Sequence, residues 1–154
     1  MYYVNREQID ARLRFVPTVA RALRALAAGA GAGNGAAADA SDGALLTHFA
    51  QERALHLAIE AVTDVGSFLI DGFMMRDASS YEDIVDILRT EGVLPDDVAD
   101  GLRALVALRR PLTQEYMELR RDAPRDDLER TAELLETFPP LVRAFIEKEL
   151  QPFA

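Results

Sequence analysis

Apolar residues at alternating spacings of three and four predict that the chain folds into amphipathic helices. Near the start this pattern runs through Ile9, Leu13, Val16, Ala20, Leu23 and Ala27. Such a spacing is typical of a helix that packs against neighbours in a bundle. Asn5 is the predicted N-cap, with Gln8 as its capping-box partner, so the helix is expected to begin at Arg6. Pro17 lies inside this helix and is expected to kink it.

The following elements are separated by residues that favour turns. A Gly/Ala tract over residues 28–43 predicts a flexible loop, because it lacks side chains large enough to pack. Ser79 or Ser80 is expected to cap a short helix, and Gly92 to end it. The predicted helices after the loop cover about residues 44–75, 81–91, 95–109 and 125–150, the last one interrupted at Pro139-Pro140.

No segment of any length alternates with period two, so strands are not expected. The sequence predicts an all-α fold, an antiparallel bundle of four to five helices. A length of 154 residues favours one domain spanning residues 1–154. The long apolar stretch 54–75 contains Glu60, Asp64 and Asp71, which argues against a membrane span and for a central bundle helix.

Composition narrows the classes of function. The net charge of −9 disfavours non-specific binding to nucleic acid. Two segments are nevertheless basic. Residues 1–27 hold five arginines and two acidic residues, and residues 103–125 hold six arginines and three acidic residues. They are either ordinary solvated helix faces or binding surfaces. Cysteine is absent, which excludes disulfides and thiolate metal sites and fits a cytoplasmic protein. The first ten residues do not resemble a secretory signal, and no metal or cofactor is predicted.

A line of polar residues crosses the otherwise apolar helix over residues 44–75. This polar stripe comprises Arg53, His56, Glu60, Asp64, Ser67 and Asp71, at spacings of 3, 4, 4, 3 and 4. Residues at these spacings share one helix face. The stripe is therefore either a solvent-exposed edge or the lining of a cleft that presents an imidazole and carboxylates.

Three stretches of the sequence resemble the HepT-like branch of the HEPN superfamily. They are MYYVNREQID at the start, DGFMMRDASSYED, and YEDIVDILRTEGVLPDDVADGLRALVALRRPLTQEYMEL. The resemblance covers nearly the whole chain except the tract 28–43. It implies a helical bundle that forms a homodimer and acts as a metal-independent endoribonuclease toxin, encoded beside a nucleotidyltransferase antitoxin. The motif of that family is an Arg, usually followed by Asn, then a His five residues after the Arg and a Tyr two residues further on.

Mapped onto this chain, the motif departs from the family pattern. Arg109 takes the position of the motif Arg and Tyr116 that of the Tyr, but Gln114 stands in place of the His and Arg110 in place of the Asn. Cleavage through a 2′-hydroxyl needs a group that exchanges protons near neutral pH, which an imidazole does and a carboxamide does not. Arg109 can hold a phosphate and stabilise developing charge, but it is a poor base.

Other residues are candidates for the missing role. His56 lies on the polar stripe and is conceivable as a relocated base or as a binding residue. The resemblance places an acidic residue at Asp64 near the motif, either to transfer protons or to orient Arg109. For Tyr116, the resemblance implies modification by the nucleotidyltransferase, which basic neighbours such as Arg110 and Arg120 would favour. The alternative is a Tyr ring packed into the bundle.

Three functions remain open at this point, so enzymatic activity is not decided. The first is a HepT-like ribonuclease that acts on RNA. The second is a non-catalytic HEPN dimer that binds a nucleotidyltransferase partner, nucleotide or RNA without cleaving. The third is an interaction dimer in which the motif is a remnant.

Overall fold

The computed structural model describes residues 2–31, 41–123 and 125–151, except for the side chains of residues 30 and 31. All regular secondary structure in these ranges is helical, which confirms the predicted all-α bundle. The elements are α1 (Arg6–Gly31), α2 (Asp42–Gly72), α3 (Tyr81–Thr90), α4 (Asp96–Val106), α5 (Arg109–Thr113), a 3-10 turn (Tyr116–Glu118) and α6 (Leu128–Glu149). Among the described residues, no helix combines the length and apolarity needed to cross a membrane.

Side-chain caps fix where three helices begin. Asn5 Oδ1 accepts a hydrogen bond from the Gln8 backbone N–H at 3.2 Å, so α1 starts at Arg6 as predicted. Ser41 Oγ accepts from the Ala44 N–H at 3.0 Å at the start of α2. Ser80 Oγ accepts from the Asp83 N–H at 3.0 Å at the start of α3. These bonds satisfy N–H groups that have no partner within their helix.

Two sequence predictions are wrong at helix ends and interiors. α1 continues to Gly31 and α2 begins at Asp42, so residues 28–31 and 42–43 of the predicted loop are helical, and residues 32–40 lie outside the described residues. Extending a formed helix is far less costly than starting one, and alanine favours it. α6 passes through Pro139 and Pro140 without the expected interruption. Each proline costs one backbone hydrogen bond, but Phe138 and Pro139 are both buried, and this packing offsets the loss.

The core lies where α1 packs along both α2 and α6. Its largest fully buried side chains include Leu13, Leu55, Leu69 and Phe138. α3 and α4 form a smaller pair beside α2. At Gly66 of α2 an added Cβ would lie 2.3 Å from Ile84 Cγ2, so α3 approaches α2 more closely there than any side chain would allow. This contact fixes α3, and the residue at its start, relative to α2.

Candidate functional site

Arg109, the motif arginine, is fixed between three elements. It opens α5 after a two-residue break at the end of α4. Its Nε donates to Glu60 Oε1 of α2 at 3.2 Å. Its guanidinium also stacks on Tyr81, the first residue of α3, with Cζ 3.8 Å from the ring centroid. An ion pair and a cation–π contact together hold this guanidinium in one orientation.

His56 shares the carboxylate that holds Arg109. Its Nε2 lies 3.3 Å from Glu60 Oε1, the same oxygen that accepts from Arg109. Its Nδ1 lies 3.3 Å from Arg53 Nη1. A guanidinium can only donate, so in this contact we assign Nδ1 as the acceptor and place the ring hydrogen on Nε2, the nitrogen next to Glu60. We refer to His56, Glu60 and Arg109 as the α2 cluster.

Asp64 was predicted either to transfer protons or to orient Arg109, and in the structure it pairs with a different arginine. Its carboxylate pairs with Arg12 of α1 at 3.0 Å, and Arg12 also lies over the Phe68 ring at 5.2 Å. Glu60, one helical turn earlier, pairs with Arg109 instead. The reason is geometric: α5 crosses α2 near Glu60, whereas α1 presents Arg12 near Asp64. Both carboxylates occur on the predicted stripe, but the sequence does not show which arginine reaches which one.

The remaining motif residues are exposed to solvent. Gln114 ends α5 through its backbone N–H, which bonds to the Arg110 carbonyl at 2.8 Å. Arg110 lies 3.5 Å from Glu115 at the surface. Tyr116 is 52% exposed, and the 3-10 turn that contains it has no buried residue, which disfavours a ring packed within the bundle. The structure therefore does not bring Gln114 or Tyr116 into the α2 cluster through any described side-chain contact.

A second ion pair holds the far end of this region. Arg121 donates to both oxygens of Glu52 on α2, at 2.7 and 2.8 Å, and to the Tyr116 carbonyl at 2.9 Å. The bond to Glu52 raises the pKa of Arg121 above its usual value. Residues 109–121, which we call the motif segment, are thus attached to α2 at both ends, through Glu60 and Glu52.

The polar stripe faces neighbouring elements in its middle and solvent elsewhere. His56, Glu60 and Asp64 are partly buried, whereas Arg53, Ser67 and Asp71 are exposed. The cleft interpretation therefore describes the middle, and the solvated-edge interpretation describes the two ends. Within the described residues, no three His, Asp or Glu side chains converge in a way that would hold a metal ion. The stacking of Arg109 on Tyr81 was not predicted from the sequence. No spacing signal shows which element the first residue of a helix faces.

Comparison with known proteins places the chain among relatives of the expected kind. The family model described as "Ribonuclease HepT-like" matches residues 21–142. The protein named "Putative RNase YutE" of Bacillus subtilis (strain 168) is 40% identical over 107 residues, covering 67% of this chain and 72% of that protein. The structure of cytosolic protein of unknown function YutE from Bacillus subtilis is similar with a TM-score of 0.75 and 32% identity, covering 100% of this chain and 99% of that chain.

More distant structures share the fold. A tri-AMPylated Shewanella oneidensis HEPN toxin in complex with MNT antitoxin matches with a TM-score of 0.72 and 17% identity, over 89% of this chain and 97% of that one. A toxin–antitoxin crystallised with AMP-PNP matches with a TM-score of 0.73 and 16% identity, over 90% and 98%. The resemblance seen in the sequence is confirmed: this chain belongs to the HepT-like ribonuclease family of HEPN proteins.

Proposed function

We propose that this protein is a metal-independent endoribonuclease of the toxin type, in which Arg109 binds the RNA phosphate at the cleavage site. The observation that carries the proposal is the shared Glu60 oxygen, which joins a fixed guanidinium to an imidazole. A guanidinium held in this way suits a phosphate and the charge that develops on it. The imidazole matters because Gln114 cannot exchange protons near neutral pH, so general-base cleavage needs a proton carrier other than this motif residue.

Cleavage of short single-stranded RNAs by the purified protein in EDTA tests this function. Wild type is expected to cut and to leave 2′,3′-cyclic phosphate ends. Arg109→Ala is expected to lose about 10²–10³-fold in rate, as when a single charge-stabilising donor is removed. Arg103→Ala is the matched control, because Arg103 forms an exposed ion pair with Asp86 away from the α2 cluster. Absence of cutting by wild type, or equal cutting by Arg109→Ala, would contradict the proposal.

For regulation, we propose that a nucleotidyltransferase of the MNT kind is the antitoxin partner and that it modifies Tyr116. Tyr116 is 52% exposed, and two exposed arginines within six residues of it in the sequence, Arg110 and Arg120, would attract nucleotide phosphates. The similar Shewanella oneidensis toxin is described as tri-AMPylated and in complex with an MNT antitoxin. Co-expression with such a partner and intact-mass measurement would show added nucleotidyl groups on wild type. Their persistence on Tyr116→Phe would exclude this acceptor.

We also propose that the protein forms a homodimer and works in the cytoplasm. Apolar side chains are exposed around Arg121, namely Phe49, Tyr116 and Met117. Exposed apolar groups of this kind are commonly covered by a second subunit. Light scattering after size-exclusion chromatography would report the dimer mass, and a monomer at micromolar concentration would contradict it.

A non-catalytic HEPN dimer is the second candidate, and Gln114 is the observation that favours it. Such a protein would bind a nucleotidyltransferase, nucleotide or RNA without cutting. RNA binding by wild type without cleavage, together with cleavage gained by Gln114→His, is the result expected of this alternative.

A further inference from the structure

We propose that His56 is the proton acceptor of the cleavage step, in place of the histidine missing from the motif. This inference rests on the proposed ribonuclease function and assigns that function's central chemical role. It also assigns Glu60 a positioning role, because the carboxylate sets which nitrogen of the imidazole is available.

The tautomer of His56 decides which ring nitrogen can accept a proton. Glu60 Oε1 lies 3.3 Å from Nε2, and we assign the ring hydrogen to this nitrogen, next to the carboxylate. Nδ1 therefore keeps its lone pair and can accept a proton. A carboxylate that fixes one imidazole nitrogen so that the other acts as base is the arrangement used in Ser-His-Asp triads.

A substrate hydroxyl must be able to reach Nδ1. Its present neighbour is Arg53 Nη1 at 3.3 Å, at the end of a flexible and exposed side chain. Because Arg53 is exposed, its side chain can move aside when a substrate hydroxyl takes that place. The charged groups around His56 are thus Arg53 and Glu60 on α2, together with Arg109 of α5, which meets the same oxygen of Glu60.

The cleavage also requires the phosphate to lie near His56. Arg109 Nε and His56 Nε2 meet the same oxygen of Glu60, so the guanidinium that would bind the phosphate and the imidazole ring are neighbours, with the other ring nitrogen, Nδ1, facing Arg53. The ribose of that nucleotide brings its 2′-hydroxyl to the same surface. Holding acceptor and phosphate together in this way is the positioning that in-line attack requires.

The reaction balances without a metal or cofactor. The 2′-hydroxyl gives its proton to His56 Nδ1 while the 2′-oxygen forms a bond to phosphorus. The bond from phosphorus to the 5′-oxygen breaks, and that oxygen takes the proton from the imidazolium, directly or through a bridging water molecule. The products are a 2′,3′-cyclic phosphate and a 5′-hydroxyl, and His56 returns to its neutral form.

The second histidine does not compete for this role. The chain contains only His48 and His56. His48 is 8% exposed and lies eight residues earlier on α2, about 12 Å along the helix axis. No described contact joins His48 to Arg109.

Steady-state cleavage of a short single-stranded RNA in EDTA, across pH, tests the proposal. His56→Gln is expected to lose about 10²–10⁴-fold in kcat with little change in KM, because general-base catalysis contributes about that much. The pH–rate profile of His56→Gln is expected to differ in shape from that of wild type, because a group that transfers a proton in the reaction has been removed. Free imidazole is expected to restore part of the activity of His56→Ala. Asp71→Asn, at the exposed end of the polar stripe, is the control and is expected to match wild type.

The outcomes separate this inference from the function on which it rests. If wild type cuts RNA and His56→Gln cuts equally well, His56 is not the acceptor although the ribonuclease function stands. If wild type does not cut, the proposed function fails and the inference fails with it. A nitrogen-15 NMR measurement of the folded wild-type protein guards against a variant that unfolds. It should show the hydrogen on Nε2 of His56, and finding it on Nδ1 would overturn the proposal.

Discussion

The bundle core and the motif segment are attached to the same helix, α2, by different forces. Leu55 and Leu69 of α2 are fully buried against neighbouring helices. The motif segment has no buried residue in α5 or in the 3-10 turn, and it is held by the pairs Glu60–Arg109 and Glu52–Arg121. Apolar burial is insensitive to moderate salt, whereas partly exposed ion pairs are weak and screened. The fold and the geometry of the site therefore respond to different perturbations.

A core substitution should separate the two regions most strongly. Phe138→Ala is expected to lower the free energy of unfolding by about 3–5 kcal/mol, because it leaves a cavity at a fully buried position. Cleavage per folded molecule should remain close to that of wild type. Urea denaturation measures the first effect and RNA cleavage the second. Phe15→Ala is the matched control, since Phe15 is 40% exposed; an equal loss there would show that burial does not set stability.

Gly66→Ala tests whether core packing reaches the site. The new Cβ would meet Ile84 of α3 at 2.3 Å, so we expect a loss of about 1–3 kcal/mol in unfolding free energy. Because α3 begins with Tyr81, its displacement should also disturb the stacking on Arg109 and lower the cleavage rate. Gly29→Ala in α1 is the control, since nothing lies within 4 Å of the added Cβ. Unchanged cleavage in Gly66→Ala would show that the two regions are fully independent.

The ion pair at the far end should give the smallest effect on stability. Arg121→Ala is expected to cost about 0.2–1 kcal/mol in unfolding free energy, the usual range for a partly exposed pair. Amide hydrogen exchange in residues 114–119 should nevertheless become faster, because Arg121 also holds the Tyr116 carbonyl. Raising the salt concentration of wild type should cause a similar local change. Equal acceleration across the core of α2 would contradict the separation.

The sequence predicted those features of the fold that depend on neighbouring residues. The Asn5 and Ser80 caps and the seam of α1 were correct because a cap or a period of 3.6 residues is a local property. The path of α6 through Pro139-Pro140 was not predictable in this way, since the burial of Phe138 and Pro139 comes from other helices.

The candidate site was predictable only in part. The sequence supplied Arg109 by resemblance and His56, Glu60 and Asp64 by spacing. It did not show that Arg109 pairs with Glu60 rather than Asp64, because the two carboxylates lie on one face and only the packing of α1 and α5 distinguishes them. Tyr81 was missed for the same reason, since its contact with Arg109 joins residues far apart in the chain.

The spacing of the two attachment points has a consequence for how this protein can vary. Glu52 and Glu60 lie eight positions apart, about 12 Å along the axis of α2. The chain from Arg109 to Arg121 has twelve peptide links and would reach about 40 Å if fully extended. The motif segment is therefore longer than the distance between its two attachment points requires. A residue between the two ion pairs, such as Gln114, can be substituted without breaking either pair, so Arg109 can keep its position whichever side chain stands at position 114.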